Sequence, residues 1–203
     1  MYVKICGLRS PEHAMLAASH GADAIGVVMS EPSPRHATPE EASAVIAAAR
    51  TENPAIDTVL VVREMAAVDA AAMANNLGFD VLQLHGGYSA PEFAKARALH
   101  PRIWRAASLA TTPGLRAGTY DEERLLVDSA VAGSGESWDL NLINGAELGL
   151  SWLLAGGLNP DNVADAIRSA RPGGVDVSSG IEIAPGEKSP ELIERFIAAA
   201  RSV

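Results

Sequence analysis

The chain has 203 residues, 48% of them apolar and 4% aromatic, with a formal net charge of −9. That length and apolar content suit one domain with a full core. Lysines and arginines spread along an acidic chain argue against nucleic acid as a main partner, and a single cysteine excludes an internal disulfide or a cysteine-based zinc site.

Short β-rich runs alternate with alanine-rich stretches of helical spacing. The first run, YVKIC (2–6), precedes a helix over 10–21, with Ser10 as N-cap, Pro11 at the first helical position and Gly21 as the stop. AIGVVM (24–29) leads through SEPSPRHA (30–37) into a helix over 38–50, which repeats that start with Thr38 and Pro39. DTVLVV (57–62) precedes a helix over 65–78 that ends on Gly78, and DVLQLH (80–85) precedes one over 89–100, before Pro101. RIWRAA (102–107) and RLLVDS (124–129) are each followed by a less helical connection, the second holding NLINGAELG as one short helix. SWLLAG (151–156) precedes a helix over 159–170 opened by Asn159 and Pro160, and GVDVSS (174–179) precedes the last helix, 189–201.

Alternating β and α elements predict a parallel sheet. Eight strands favour a closed (β/α)8 TIM barrel over a doubly wound open sheet, as a single domain over 1–203 with the helices after strands 5 and 6 abbreviated. No stretch approaches 18 consecutive apolar residues, so no membrane span is expected. The start MYVKICG lacks a basic region followed by an apolar run, and with the single cysteine it fits a cytoplasmic chain without a signal peptide.

In such a barrel the active site lies at the C-terminal ends of the strands. Side chains alternate along a strand, so Lys4 and Cys6 share the face opposite the apolar Val3 and Ile5 and should point into the barrel. The same alternation gives Gln83 and His85 an inward face, and puts Leu126 with Asp128 and Asp176 with Ser178 on shared faces. Strand neighbours also make Lys4 and Asp176 a candidate pair. A lone buried cysteine is usually inert filler, a histidine before glycines a loop residue, and an aspartate at a strand end a turn cap. Those readings do not explain three reactive groups at the same end of three strands. Glycine-rich turns after the last two strands, LAGGLNPDNV and DVSSGIE, let backbone N–H groups approach an anion, and this pair of loops is the usual phosphate site of the architecture.

KICGL, GADAIGVVMSEPSPR, LQLHG, LLVDS, AGGLNPDNV and DVSSGIE, in that order and over nearly the whole chain, resemble the phosphoribosylanthranilate isomerase family of tryptophan biosynthesis. The resemblance implies a (β/α)8 barrel that performs an Amadori rearrangement of a small-molecule phosphosugar, without metal or organic cofactor, as a monomer or homodimer. It implies Cys6 as general base and Asp128 as general acid, with Arg35 of SPR at the anthranilate end. Gly156, Gly157, Ser178, Ser179 and Gly180 would cradle the phosphate, and His85 would line the pocket without a chemical step. For Cys6 to act as base, a positive neighbour would help its thiol ionise, and Lys4, two residues earlier on the same face, is one candidate. The chain departs from many family members at GSGESWDL (133–140), where Glu136 replaces a positive residue in a shortened loop, and at the end of strand 2, VVM, where an aromatic is common. Two other readings remain: an isomerase that also takes the related histidine-pathway aminoaldose, against which Cys6 and the short chain argue, and a phosphosugar-binding barrel without catalysis.

Overall fold

A computed structural model describes residues 1–112, 114–128, 143 and 146–203. Eight parallel strands close into a barrel in chain order. They are β1 (Tyr2–Cys6), β2 (Ala24–Val28), β3 (Asp57–Val62), β4 (Val81–His85), β5 (Ile103–Ser108), β6 (Arg124–Asp128), β7 (Trp152–Leu154) and β8 (Gly174–Val177). Pairing of β1 with β8 closes the ring and sets Lys4 opposite Asp176. Around it lie α1 (Pro11–Ser19), α2 (Pro39–Glu52), α3 (Ala67–Leu77), α4 (Ala90–Arg97), α5 (Val163–Ala170) and α6 (Pro190–Arg201).

The predicted caps form. Thr38 Oγ1 accepts from Glu41 N at 3.2 Å while the Glu41 carboxylate accepts from Thr38 N at 2.8 Å, a capping box that satisfies two orphan donors of α2. Gly78 ends α3 in the left-handed region. α5 departs from the reading: it begins at Val163 with Asn162 as its cap, not at Asn159. Asn159 and Asn162 instead bond each other's backbone, Asn159 N to Asn162 Oδ1 at 2.8 Å and Asn162 N to Asn159 Oδ1 at 3.1 Å, and this turn occupies the first predicted helical turn.

Between β5 and β6 the described residues form turns and no helix, as the sequence led us to expect. The short helix predicted within 130–150 and the loop carrying Glu136 fall mostly or wholly outside the described residues. One element was not predicted: a small antiparallel hairpin, β9 (Glu182–Ala184) and β10 (Glu187–Lys188), inserted after β8 and a single 3-10 turn over Ser179–Ile181.

Two apolar layers result from the strand alternation. The outer one joins Val3, Ile5, Leu82, Leu84, Leu125, Val127, Val175 and Val177 to buried helix alanines such as Ala14, Ala17, Ala42 and Ala49. Small residues let the helices lie close to the strands, which is how a barrel is covered with so few aromatics. The inner layer holds Val59, Val81, Trp104, Leu126 and Leu153. Fully buried Trp104 fills the barrel floor, edge-on to Tyr2 with ring centroids 5.9 Å apart, and the Arg124 guanidinium lies 4.2 Å from the Tyr2 ring centroid. Below them Tyr2 donates to Asp57 at 2.6 Å, and Arg102 bridges Asp57 (2.6 Å) and Glu123 (2.8 Å), tying β1, β3, β5 and β6 at their N-terminal ends.

Candidate active site

At the other end of the barrel lies a cavity of about 640 Å³, walled by Cys6, Arg35, His85, Asp128, Ser178 and Ser179 among others. Six of the nine residues singled out from the sequence therefore meet on one cavity wall. Gly156, Gly157 and Gly180 do not line it directly. They form the adjoining loops, where an added Cβ on Gly180 would lie 1.8 Å from the Leu158 carbonyl oxygen. The loops after β7 and β8 can touch this closely only because residue 180 has no side chain. Gly156 and Gly157 adopt φ of 78° and 64°, and Asn162 donates to the Gly157 carbonyl at 2.9 Å, which fixes this turn.

Cys6 ends β1 inside the barrel, 5% exposed, and its register partner on β2 is Gly26. A Cβ at Gly26 would lie 2.7 Å from Cys6 Sγ and 3.1 Å from Lys4 Nζ, so the absent side chain makes room for both groups. Lys4 is fully buried and bonds Asp176 Oδ1 at 2.7 Å, the pair foreseen from strand adjacency. Burial pulls the Lys4 pKa down, but Asp176 and Cys6 more than offset it, and the ammonium persists above its usual range. Burial pushes the Cys6 thiol up. Lys4 and Lys188 pull it down and Asp176 pushes it further up, with a net rise. Lys4 thus acts on Cys6 in the direction its position suggested, and burial outweighs it.

Asp128 ends β6 at 7% exposure, with His85 Nε2 3.6 Å from its Oδ2. That is too long for a hydrogen bond. Burial, with Arg63 adding to it, depresses His85 to about 4, so its imidazole is neutral near pH 7 and the two do not form an ion pair there.

Arg35 stands in the loop after β2 and pairs with Glu182 of β9 through two hydrogen bonds, Nε to Oε1 and Nη2 to Oε2, both 2.8 Å. Lys188 of β10 donates to the same Glu182 Oε1 at 2.7 Å. Sequence reasoning passed over Glu182, Arg63 and the hairpin, all of which contribute to the cavity wall. Glu182 stood at the end of the quoted DVSSGIE, and only its spacing from the phosphate loop could have drawn attention to it.

Among the described residues no group of three or more His, Cys, Asp or Glu is placed to hold a metal ion, and no helix is long and apolar enough to cross a membrane. A cavity with a buried thiol and a buried carboxyl on non-adjacent strands suits proton transfers on a bound small molecule.

Residues 3–199 match the family model for N-(5′-phosphoribosyl)anthranilate (PRA) isomerase. The chain belongs to the PRA isomerase family. It is 41% identical to the N-(5′-phosphoribosyl)anthranilate isomerase of Pelobacter propionicus, over 98% of this chain and 95% of that one. The crystal structure of TrpF from Jonesia denitrificans superposes with a TM-score of 0.91 at 50% identity, covering 100% of this chain and 98% of that one. A phosphoribosyl anthranilate isomerase solved with reduced 1-(o-carboxyphenylamino)-1-deoxyribulose 5-phosphate superposes at 0.80 with 28% identity, covering 100% of both chains. The PRA isomerase family resemblance read from KICGL, SPR and DVSSG is therefore confirmed along almost the whole chain.

Proposed function

We propose that this chain converts N-(5′-phosphoribosyl)anthranilate to 1-(2-carboxyphenylamino)-1-deoxyribulose 5-phosphate, a step of tryptophan biosynthesis, as a single cytoplasmic barrel domain. The observation that carries the reading is the meeting of Cys6 and Asp128 on one cavity at the C-terminal mouth of the barrel. Asp128 in its acid form gives a proton to the furanose ring oxygen while the anilino nitrogen lone pair expels that oxygen. The C1′–O bond breaks and an iminium forms. Cys6, as thiolate, then takes the proton from C2′, and the C–H electron pair flows into the iminium to give an enolamine. Its 2′-hydroxyl proton leaves and C1′ gains one, which yields the ketose. Nothing is oxidised or reduced overall.

Arg35 takes the anthranilate carboxylate, which its planar guanidinium matches. The phosphate sits in the loops after β7 and β8, against Gly156, Gly157, Ser178, Ser179 and Gly180. Supporting this, the backbone N–H groups of Ser179 and Gly180 begin the 3-10 turn and donate to no protein acceptor among the described residues. Lys4 stabilises the Cys6 thiolate when it forms. Turnover of freshly prepared phosphoribosylanthranilate by wild type, Cys6→Ser and Asp128→Asn tests the reading. Activity in wild type and a loss of about 10²- to 10⁴-fold in each folded variant are expected. A folded but inactive wild type would favour a binding barrel instead.

A further inference from the structure

We infer that Glu182 is a positioning residue: it grips one edge of the Arg35 guanidinium so that the other edge is held for the carboxylate of the substrate. The inference rests on the proposed role of Arg35 and adds what sets that residue's orientation.

The donor count carries the argument. Lys188 Nζ makes three hydrogen bonds, to Glu182 Oε1 at 2.7 Å, to the Ser178 carbonyl at 2.9 Å and to Ser178 Oγ at 3.1 Å. An ammonium has three protons, so Lys188 is saturated. Glu182 spends both oxygens on Arg35 and shares one with Lys188. Arg35 spends Nε and Nη2 on Glu182, and its Nη1 has no hydrogen-bond partner among the described residues. Two cations therefore share one carboxylate. The surplus positive charge resides on the free guanidinium edge of a residue that lines the cavity, and a second carboxylate completes the pairing.

The cluster is also rigid. The side chains of Glu182 and Lys188 are 5% and 2% exposed, and that of Arg35 is 13% exposed. Hydrogen bonds from Arg35 and Lys188 outweigh the burial of Glu182 and hold its carboxyl below the usual range, so it stays ionised at neutral pH. The chain leaving β1 passes beneath at Gly7, where a Cβ would come within 2.9 Å of both Arg35 Cδ and Ser178 Oγ. The hairpin turn presses on the loop of Arg35 itself, since a Cβ on Gly186 would lie 2.4 Å from the Pro34 carbonyl oxygen. Glu182 directly follows the 3-10 turn that opens at Ser179. Through it the carboxylate end and the phosphate end of the ligand are spaced by one short piece of backbone.

Inhibition constants of reduced 1-(o-carboxyphenylamino)-1-deoxyribulose 5-phosphate and of its descarboxy analogue test the inference, on wild type, Arg35→Met, Glu182→Gln, the charge-balanced Glu182→Gln/Lys188→Met, and Arg35→Met/Glu182→Gln. Glu182→Gln is expected to weaken the carboxylated ligand roughly tenfold or more and the descarboxy ligand less than about twofold. Adding it to Arg35→Met should cost nothing further. The charge-balanced variant should lose carboxylate preference by the same ratio as Glu182→Gln, with a further weakening common to both ligands because Lys188 also holds Ser178, and that ratio replaces the single variant's if the single change fails to fold. Equal weakening of both ligands, or none, overturns the positioning role. Loss of carboxylate preference in Arg35→Met but not in Glu182→Gln overturns this inference alone. Retained preference in Arg35→Met overturns the role of Arg35 and this inference with it.

Discussion

Lys4 Nζ lies 2.7 Å from Asp176 Oδ1 inside the barrel, the lysine side chain without solvent exposure and the aspartate at 10%. Lys4 precedes Cys6 by two residues on β1, and both members of the pair shift the Cys6 pKa, as does Lys188 of β10. Removing one member of a buried pair leaves the other uncompensated, so Lys4→Met should cost about 3–5 kcal/mol of stability. It should also raise the Cys6 pKa further, because Lys4 pulls it down and Asp176 pushes it up. Less thiolate at a given pH means slower alkylation: iodoacetamide should modify Lys4→Met more slowly than wild type at pH 8. An unchanged rate in the folded variant would show that Lys4 does not tune the Cys6 thiol.

His85 gives a pH signature of its own. Its folded pKa of about 4 lies below the ordinary 6.5, so between those values the unfolded chain binds the proton and the folded one does not. Stability from this residue is present above pH 6.5 and is lost as pH falls toward 4, with a slope of up to about 1.4 kcal/mol per pH unit. Urea titrations of wild type and His85→Asn between pH 4 and 7 should show a flatter dependence in the variant. Parallel curves would mean that the imidazole titrates normally.

Gly180→Ala places a methyl group against the Leu158 carbonyl. The loops after β7 and β8 must part, at a cost of about 1–3 kcal/mol, and KM for the phosphorylated substrate should rise several-fold. Gly87→Ala is the control: nothing lies within 4 Å of a Cβ there, so both parameters should hold. A normal KM in Gly180→Ala would detach these loops from phosphate binding.

At the opposite barrel end, Arg102 joins Asp57 and Glu123 with its side chain 39% exposed. Water screens such pairs, so Arg102→Ala should cost about 1 kcal/mol or less. Turnover should be unchanged, since this face contributes stability and not chemistry. A fall in kcat would show that the floor of the barrel is coupled to its mouth.

The eight strands were legible because each alternates a helix-facing apolar set with a barrel-facing set, and Lys4, Gln83 and Asp176 stood out as polar residues on the inner face. The placement of Cys6 and Asp128 followed from counting in twos. The β9–β10 hairpin was not legible. Its strands are too short for a period to register, and Ile183, 68% exposed, gives no buried face to follow. Glu182 went unassigned because Arg35 is 147 residues away along the chain and Lys188 meets it only across the unpredicted hairpin. Asn159 misled for the opposite reason. Asn-Pro is a good helix opening, but here the Asn162 side chain competes for the same backbone and delays α5 by a turn.

Gly26 does not line the cavity, yet its missing side chain leaves the space that Cys6 Sγ and the Lys4 ammonium occupy. A saturation scan of the protein would therefore score position 26 as intolerant as a reacting residue. Such a score would record an excluded volume, and the usual inference from intolerance to contact would fail at this strand. Any redesign that exchanges Cys6 for a bulkier group must treat residues 6 and 26 as one unit of choice.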